Sequence, residues 1–335
     1  MSDADLALQV LVVGAGAVGQ VFGHAYQRGG AKVTFLVRDK YQAAAARGFT
    51  LYPLNQRKHP AERFEGFEVI TSAREVAARR FDQIVLTVSS PALRGPWLAD
   101  LLTAAKDATI VALQPGLDDR GVLIAAGAAP ERLVQGLISL VSYHAPLPGE
   151  TRFPAEGMAY WYPPLSPSPF SGPADRVTAV VAALAKGKLP AKRHRDVGKL
   201  AAFPSAVMMP YLVALELGGW TVGGARRAGT FTLGARAARE AIAVVGHALG
   251  KPPLGVRLLA RPRLLRAGLW GARPLIPLPF EIYLREHFTK VGDQTAEFID
   301  LYIAKGRAAG LPVEALTELA NRLRAARTAT AARAS

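Results

Sequence analysis

The sequence predicts an α/β protein: a doubly wound parallel sheet in the N-terminal half and an all-helical C-terminal domain. Three observations carry this expectation. Short β-branched, apolar runs alternate with helical spacings between residues 9 and 113, the order that parallel strand–helix–strand units require. Glycines punctuate the first strand-to-helix turn at positions 14, 16 and 19. From Arg176 onward the apolar spacing is helical.

Taken in order, residues 9–13 read as a strand running into glycines, 18–28 as a helix stopped by Gly29 and Gly30, and 32–37 as a second strand. Further strands are expected at 67–70, 83–88 and 109–113, with helices at 73–80 and 97–105 between them. Residues 134–143 read as one more strand. The Pro-, Gly- and Ser-rich stretch 146–173 is either a β-excursion closing the first domain or a linker. Helices are expected at 177–185, 200–217, 235–249 and 295–309, which gives domains of 1–175 and 176–325. The Ala- and Arg-rich tail after Asn321 reads as a fraying end.

Composition narrows the function classes. With 335 residues and 50% hydrophobic content, the chain can bury a core in each of two domains. It has no cysteine, hence no disulfide, thiolate metal site or cysteine nucleophile. Six histidines, none in H-x-x-x-H spacing, argue against a metal, and no G-x-S-x-G turn suggests a hydrolase. The N-terminal segment carries two acids and no basic region, so no signal peptide is expected and the reading is cytoplasmic. The mostly apolar run 200–215 contains Pro204, Ser205 and Pro210 and reads as a buried core helix rather than a membrane span. The formal charge of +15 sits entirely beyond Asp175, before which 16 Lys/Arg face 16 Asp/Glu. Without an aromatic-interleaved basic motif, this excess reads as composition and as lining for an anionic ligand rather than as a nucleic-acid surface.

The segment VLVVGAGAVG carries the chemistry. A G-x-G-x-x-G pattern directly after a strand and opening a helix is the fingerprint of a Rossmann-type dinucleotide site. Gly14 permits the tight turn, Gly16 lets a pyrophosphate approach the backbone, and Gly19 lets helix and strand pack closely. Gly14, Ala15, Gly16, Ala17, Val18 and Gly19 are therefore the candidate phosphate contacts, on the unpaired N–H groups of a helix start. At the end of the second strand stand Arg38, Asp39 and Lys40. Arg38 and Lys40 suit the 2′-phosphate of NADPH; the alternative is Asp39 on the ribose hydroxyls of NAD.

With VLVVGAGAVGQVFGHAYQRGGAKVTFLVR and the later LQPGL, the chain resembles the ketopantoate reductase family. The likeness is closest over 10–40, fair over 83–123, and thins to Gly198-Lys199-Leu200 and Ala309-Gly310-Leu311-Pro312. The resemblance implies a Rossmann-type domain joined to a helical one, the substrate in the cleft between them, and reduction of a 2-oxo acid by NADPH. It implies Lys199 as the catalytic lysine, stabilising the alkoxide and supplying the proton; the bland alternative is a solvated member of the basic run that begins at Lys186. It also implies Ser89, Gln114 and Gly116 as cofactor contacts, and Phe203, Asp293, Gln294 and Glu297 at substrate-facing positions, with a serine position near Ile282 or Tyr283.

The chain departs from the family pattern at several of these places. The family's asparagine in LQNGL is Pro115 here, its lysine after the fourth strand is Ser89, its second asparagine is Phe203 and its glutamate is Gln294. Polar anchors are replaced by apolar or neutral groups, so the expected substrate is bulkier or less polar than ketopantoate. The same losses allow a second reading: an NADP-binding regulatory or interaction protein without turnover. The resemblance leaves room for a homodimer.

Two smaller signals remain. Tyr143 and His144 follow a strand and could face the cleft, with His144 as a second acid or as an ordinary structural residue. The stretch 254–280 interleaves five arginines with leucines and no acid, but four prolines interrupt it. It reads as an insertion packed over the cleft or at a subunit contact, with a membrane-surface segment as the alternative.

Overall fold

The first strand of the chain is buried on both faces. Val10, Leu11 and Val12 are fully buried, as expected of a central parallel strand covered by helices above and below. In the computed structural model, which describes residues 7–56, 60–114, 116–272 and 275–334, this strand is β1 (Gln9–Val13). The following elements are α1 (Ala17–Arg28), β2 (Lys32–Leu36), α2 (Asp39–Ala46), β3 (Phe49–Pro53), β4 (Glu62–Phe64), β5 (Glu68–Ile70) and α3 (Ala73–Ala77). Then come β6 (Gln83–Leu86), α4 (Trp97–Ala104), β7 (Thr109–Ala112), α5 (Asp119–Ala125), β8 (Leu133–Gly136) and β9 (Val141–Ala145). The unit closes with β10 (Gly157–Trp161), β11 (Ser168–Ser171), α6 (Ala174–Lys186) and β12 (Ala191–Arg193).

Two sheets result. The main one has the order β12-β11-β8-β7-β6-β1-β2-β5. Its members from β8 to β5 run parallel, whereas β11 joins β8 antiparallel and carries β12 parallel to itself. The smaller sheet, β4-β3-β10-β9, packs on α1 through β9 and β10. Phe35, Phe49, Phe64 and Phe67 form a ring cluster between β2 and this sheet, with centroids 4.7 to 5.9 Å apart. A β-carbon on Gly23 would stand 2.7 Å from the Phe35 ring, so α1 reaches the cluster only with a hydrogen there.

One strand expectation is corrected here, one open alternative is decided, and the compact units differ from the expected boundary. Residues 134–143 are not one strand but two, β8 in the main sheet and β9 in the smaller one; Gly136, against which the Phe170 ring packs, ends the first. The stretch 146–173 is the β-excursion, not the linker, because it holds β10 and β11. The compact units divide at Gly198 and Lys199 rather than near residue 175. The reason is that α6 packs on α1, burying Val177, Val180 and Leu184, while β12 extends the sheet.

The second unit is helical, as expected: α7 (Val197–Leu217), α8 (Val222–Arg227), α9 (Thr230–Leu249), α10 (Leu254–Leu259), α11 (Pro262–Ala272), α12 (Phe280–Lys290), α13 (Gly292–Ala308) and α14 (Glu314–Ala334). Its centre is the trio α9, α13 and α14. Ala237, Ala238 and Ala241 on α9 let α14 approach closely, and Leu316, Leu319 and Leu323 fill the contact, all buried. Each such leucine contributes about 2 kcal/mol of burial. α14 continues past Asn321 to Ala334, and Arg327 on it bonds both oxygens of Glu216 at 2.8 and 2.9 Å. At the other end of α14, the Glu240 carboxylate accepts the N–H groups of Ala315 and Leu316 at 3.0 and 2.8 Å. Among the described residues one helix, Val197–Leu217, is long and apolar enough to cross a membrane; it is mostly buried within the fold, the expected character of a core helix.

Candidate nucleotide-binding site

At the end of β1 the chain turns with Gly14 at φ +98°, a conformation L side chains rarely adopt. Gly14 N–H donates to Leu36 O at 2.9 Å, which ties the turn to β2. Gly16 is the N-cap of α1 and supplies no side-chain cap. A β-carbon built on it would meet nothing within 4 Å, so the backbone there faces open space. The amides that follow, of Ala17, Val18 and Gly19, have no acceptor within the helix and present the positive end of its dipole. On Gly19 a β-carbon would lie 2.1 Å from Gly14 O, so the third glycine is demanded by contact between turn and helix.

Two residues that the sequence reading missed hold this turn in shape. Thr87 Oγ1 lies 2.8 Å from Val13 O and 2.9 Å from Gly14 O, and Gln20 Nε2 donates to Ala15 O at 2.9 Å. A Thr just after a strand and a Gln one helical turn into α1 are common enough that only the fold reveals their task.

At the end of β2, Arg38, Asp39 and Lys40 are all exposed. Arg38 Nη2 donates to Tyr41 Oη at 3.3 Å, and its guanidinium carbon and the Lys40 ammonium each stand 5.1 Å from the Tyr41 ring centre. Two cations and a phenol thus gather at one corner. Asp39 occupies the first turn of α2, where a carboxylate complements the helix dipole.

The loops after β6 and β7 flank the glycine turn, since β6 lies beside β1 and β7 beside β6. Ser89 stands just before a 3-10 turn, Ser90–Arg94, makes no side-chain cap to it, and is half-buried. Gln114 is buried; its Nε2 donates to Leu86 O and Val88 O at 2.9 and 2.7 Å, and its Oε1 has no donor among the described residues. Pro115 lies outside the described residues. Asp119, buried and missed by the sequence reading, gathers both loops: Oδ2 accepts Gly116 N–H at 2.7 Å and Ser90 Oγ–H at 2.7 Å, while the Arg94 guanidinium lies 3.8 Å from Oδ1. A β-carbon on Gly116 would stand 2.3 Å from that carboxylate, so Gly116 is needed for the clamp itself.

These features fit a dinucleotide: an open, uncapped helix start for the diphosphate, cations for a phosphate at the β2 end, and a buried amide oxygen lacking a donor on the other flank.

In the helical unit, Lys199 lies in the first turn of α7 and is exposed. Its Nζ is beside Gly250, 3.8 Å from where a β-carbon on that residue would stand. Leu200, Pro204 and Met208 are exposed along the same helix at i, i+4 and i+8, at 38% and 44% for the Leu and the Met. Phe203 does not join them. It is 1% exposed, on the buried side of the helix. Asp293 is exposed at the start of α13 and Gln294 and Glu297 are half-buried there; Asp293 helps to raise the pKa of Arg327, after the larger effect of its hydrogen bonds to Glu216. Tyr283, on α12, is held neutral by burial, which pushes its phenol up.

Tyr143 and His144 belong to the small sheet. The Tyr143 hydroxyl bonds Glu150 Oε1 at 3.1 Å and accepts from Arg152 at 2.8 Å, a closed network, and His144 is exposed. Among the described residues no cluster of His, Cys, Asp or Glu could hold a metal.

A doubly wound sheet with a glycine turn opening onto an uncapped helix defines the class: a Rossmann-type nucleotide-binding protein with a helical second unit. Residues 10–164 match the family model described as ketopantoate reductase PanE/ApbA, so the N-terminal part of the chain is similar to this family. A search of curated proteins finds no match. Among solved structures, 2-dehydropantoate 2-reductase from Geobacter metallireducens GS-15 superposes with a TM-score of 0.70 at 20% identity, covering 95% of this chain and 100% of that one. The PanE/ApbA family ketopantoate reductase from Ralstonia eutropha JMP134 gives 0.71 at 17%, covering 95% and 97%. A D-mandelate dehydrogenase solved with NADH and anilino(oxo)acetate gives 0.68 at 15%, also covering 95% and 97%. At these identities the likeness establishes the fold.

Proposed function

We propose that the protein is an NADPH-dependent reductase of a 2-oxo acid, or a related carbonyl compound, whose side chain is apolar. The observation that carries the reading is the open α1 start at Gly16, braced by Gly14, Gly19 and Thr87, with Arg38 and Lys40 at the β2 end. The backbone amides of Ala17 to Gly19 hold the diphosphate, and the Arg38 guanidinium with Lys40 takes the 2′-phosphate. Gln114 Oε1 accepts a donor from the nicotinamide end, which relieves its burial without a partner. When bound, the nicotinamide supplies the hydride. Lys199 holds its ammonium at the carbonyl oxygen, stabilises the negative charge that develops there and gives the proton that completes the hydroxyl. The exposed stripe Leu200, Pro204 and Met208 beside Lys199 offers apolar contact and excludes water. The solved relatives named for dehydropantoate and mandelate support a small 2-oxo acid as the substrate class.

Fluorescence titration with NADPH and NADH, followed by a panel of 2-oxo acids of increasing side-chain size, tests this. The expected result is tighter binding of NADPH and turnover that improves with apolar bulk; binding of neither coenzyme overturns it. The second reading, nucleotide binding without turnover, is favoured by the burial of Phe203 where the resemblance expects a substrate anchor. Coenzyme binding with no oxidation across the panel would select it.

A further inference from the structure

Helix α10 presents apolar residues on two sides. Val256 and Ala260, four residues apart, are buried, and the Tyr211 hydroxyl reaches Ala260 O at 3.4 Å. Leu254 and Leu258, also four apart, point the other way, Leu254 being 73% exposed. Leu264 on α11 and Leu275 beyond it are exposed as well. Among these leucines stand Arg257, Arg261 and Arg263, all exposed, with no ion pair or side-chain hydrogen bond among the described residues. No acid occurs anywhere in 254–280. These leucines are therefore open to solvent in the single chain, within a unit, 199–335, that carries +10 of the chain's formal +15.

We propose that the α10–α11 surface seats the protein on a membrane bearing anionic lipid headgroups. The arginines meet the headgroup phosphates, and Leu254, Leu258 and Leu264 enter the boundary with the acyl chains. Charge decides among the occupants. A second copy docked by a two-fold axis would set the same arginines against themselves with no acid to pair them. Nucleic acid would satisfy the arginines but leave the leucines pressed on a polar backbone. An anionic bilayer satisfies both groups.

Co-sedimentation of the full chain with vesicles of phosphatidylglycerol and phosphatidylcholine, against pure phosphatidylcholine, tests this. The expected result is binding to the mixed vesicles alone, weakened about 100-fold in R257Q/R261Q/R263Q. In L254S/L258S/L264S, retention at 0.1 M salt should drop by about tenfold or more as apolar contact is lost. Both variants should keep wild-type coenzyme affinity, which shows that they are folded. Equal binding to both vesicle types, or to neither, overturns the proposal. So does a concentration-dependent dimer that the leucine variant abolishes, or tighter binding of a duplex oligonucleotide than of the anionic vesicles. Each outcome is read independently of reductase activity.

Discussion

Gly19 touches Gly14 O so closely that even a methyl group has no place. Gly19→Ala is expected to cost at least about 3 kcal/mol and to abolish coenzyme binding, because the atom it meets is backbone and cannot yield; a melt and a titration check both. Arg38→Ser should weaken NADPH about tenfold or more while leaving NADH nearly unchanged, since only the 2′-phosphate loses its partner. Comparing the two dissociation constants decides it, and a parallel loss for both would return the role to Asp39. Lys199→Ala is expected to lower kcat about 100-fold or more with coenzyme affinity intact. Full turnover in that variant would remove the lysine from the chemistry.

Between residue and molecule, helix ends carry much of the organisation. Glu240 reaches from α9 to cap the first amides of α14. Glu240→Ala should cost about 1–2 kcal/mol, read as a lower melting temperature, whereas Glu240→Gln, which keeps an acceptor, should cost less. The strands and helices that carry β1, α1, β2, β6 and β7 were legible because each shows a strong local period beside a turn signal. What the sequence could not disclose were partnerships across long separations. Asp119 reads as one acid in a loop, yet its meaning lies in Ser90 and Gly116. Leu200 and Phe203 look equally apolar, and only helix packing decides that one is open and the other sealed. The three-residue strands β4, β5 and β12 are too short to show a period of two, so β4 and β12 were missed, and with β12 the true extent of the first unit.

At the scale of the whole molecule, two histidines withdrawn from water, His24 buried and His287 half-buried, tie stability to pH. Desolvation holds the His287 pKa at about 4, with Lys290 adding to the effect, and burial, with Arg28 next, holds His24 below its usual value despite Glu62. Both groups are neutral in the folded chain, whereas the unfolded chain takes up protons below about pH 6.5. Their contribution is therefore fully present above that pH and is lost as the pH falls, toward 4 and on the order of 3 kcal/mol in the case of His287. Urea midpoints at pH 7.5 and pH 5 should differ accordingly, and His287→Gln should flatten the slope; an unchanged slope would show that His287 is not the group responsible.

The extension of the sheet through β12 has a practical consequence for dissection. Cutting after residue 175 would strip α6 from α1, leaving Val177, Val180 and Leu184 on the discarded piece and bare carbon on the retained one. Such a fragment should precipitate on expression. One that ends at Gly198 keeps its covering helix and its terminal strand, and should stay dispersed while still taking up the coenzyme.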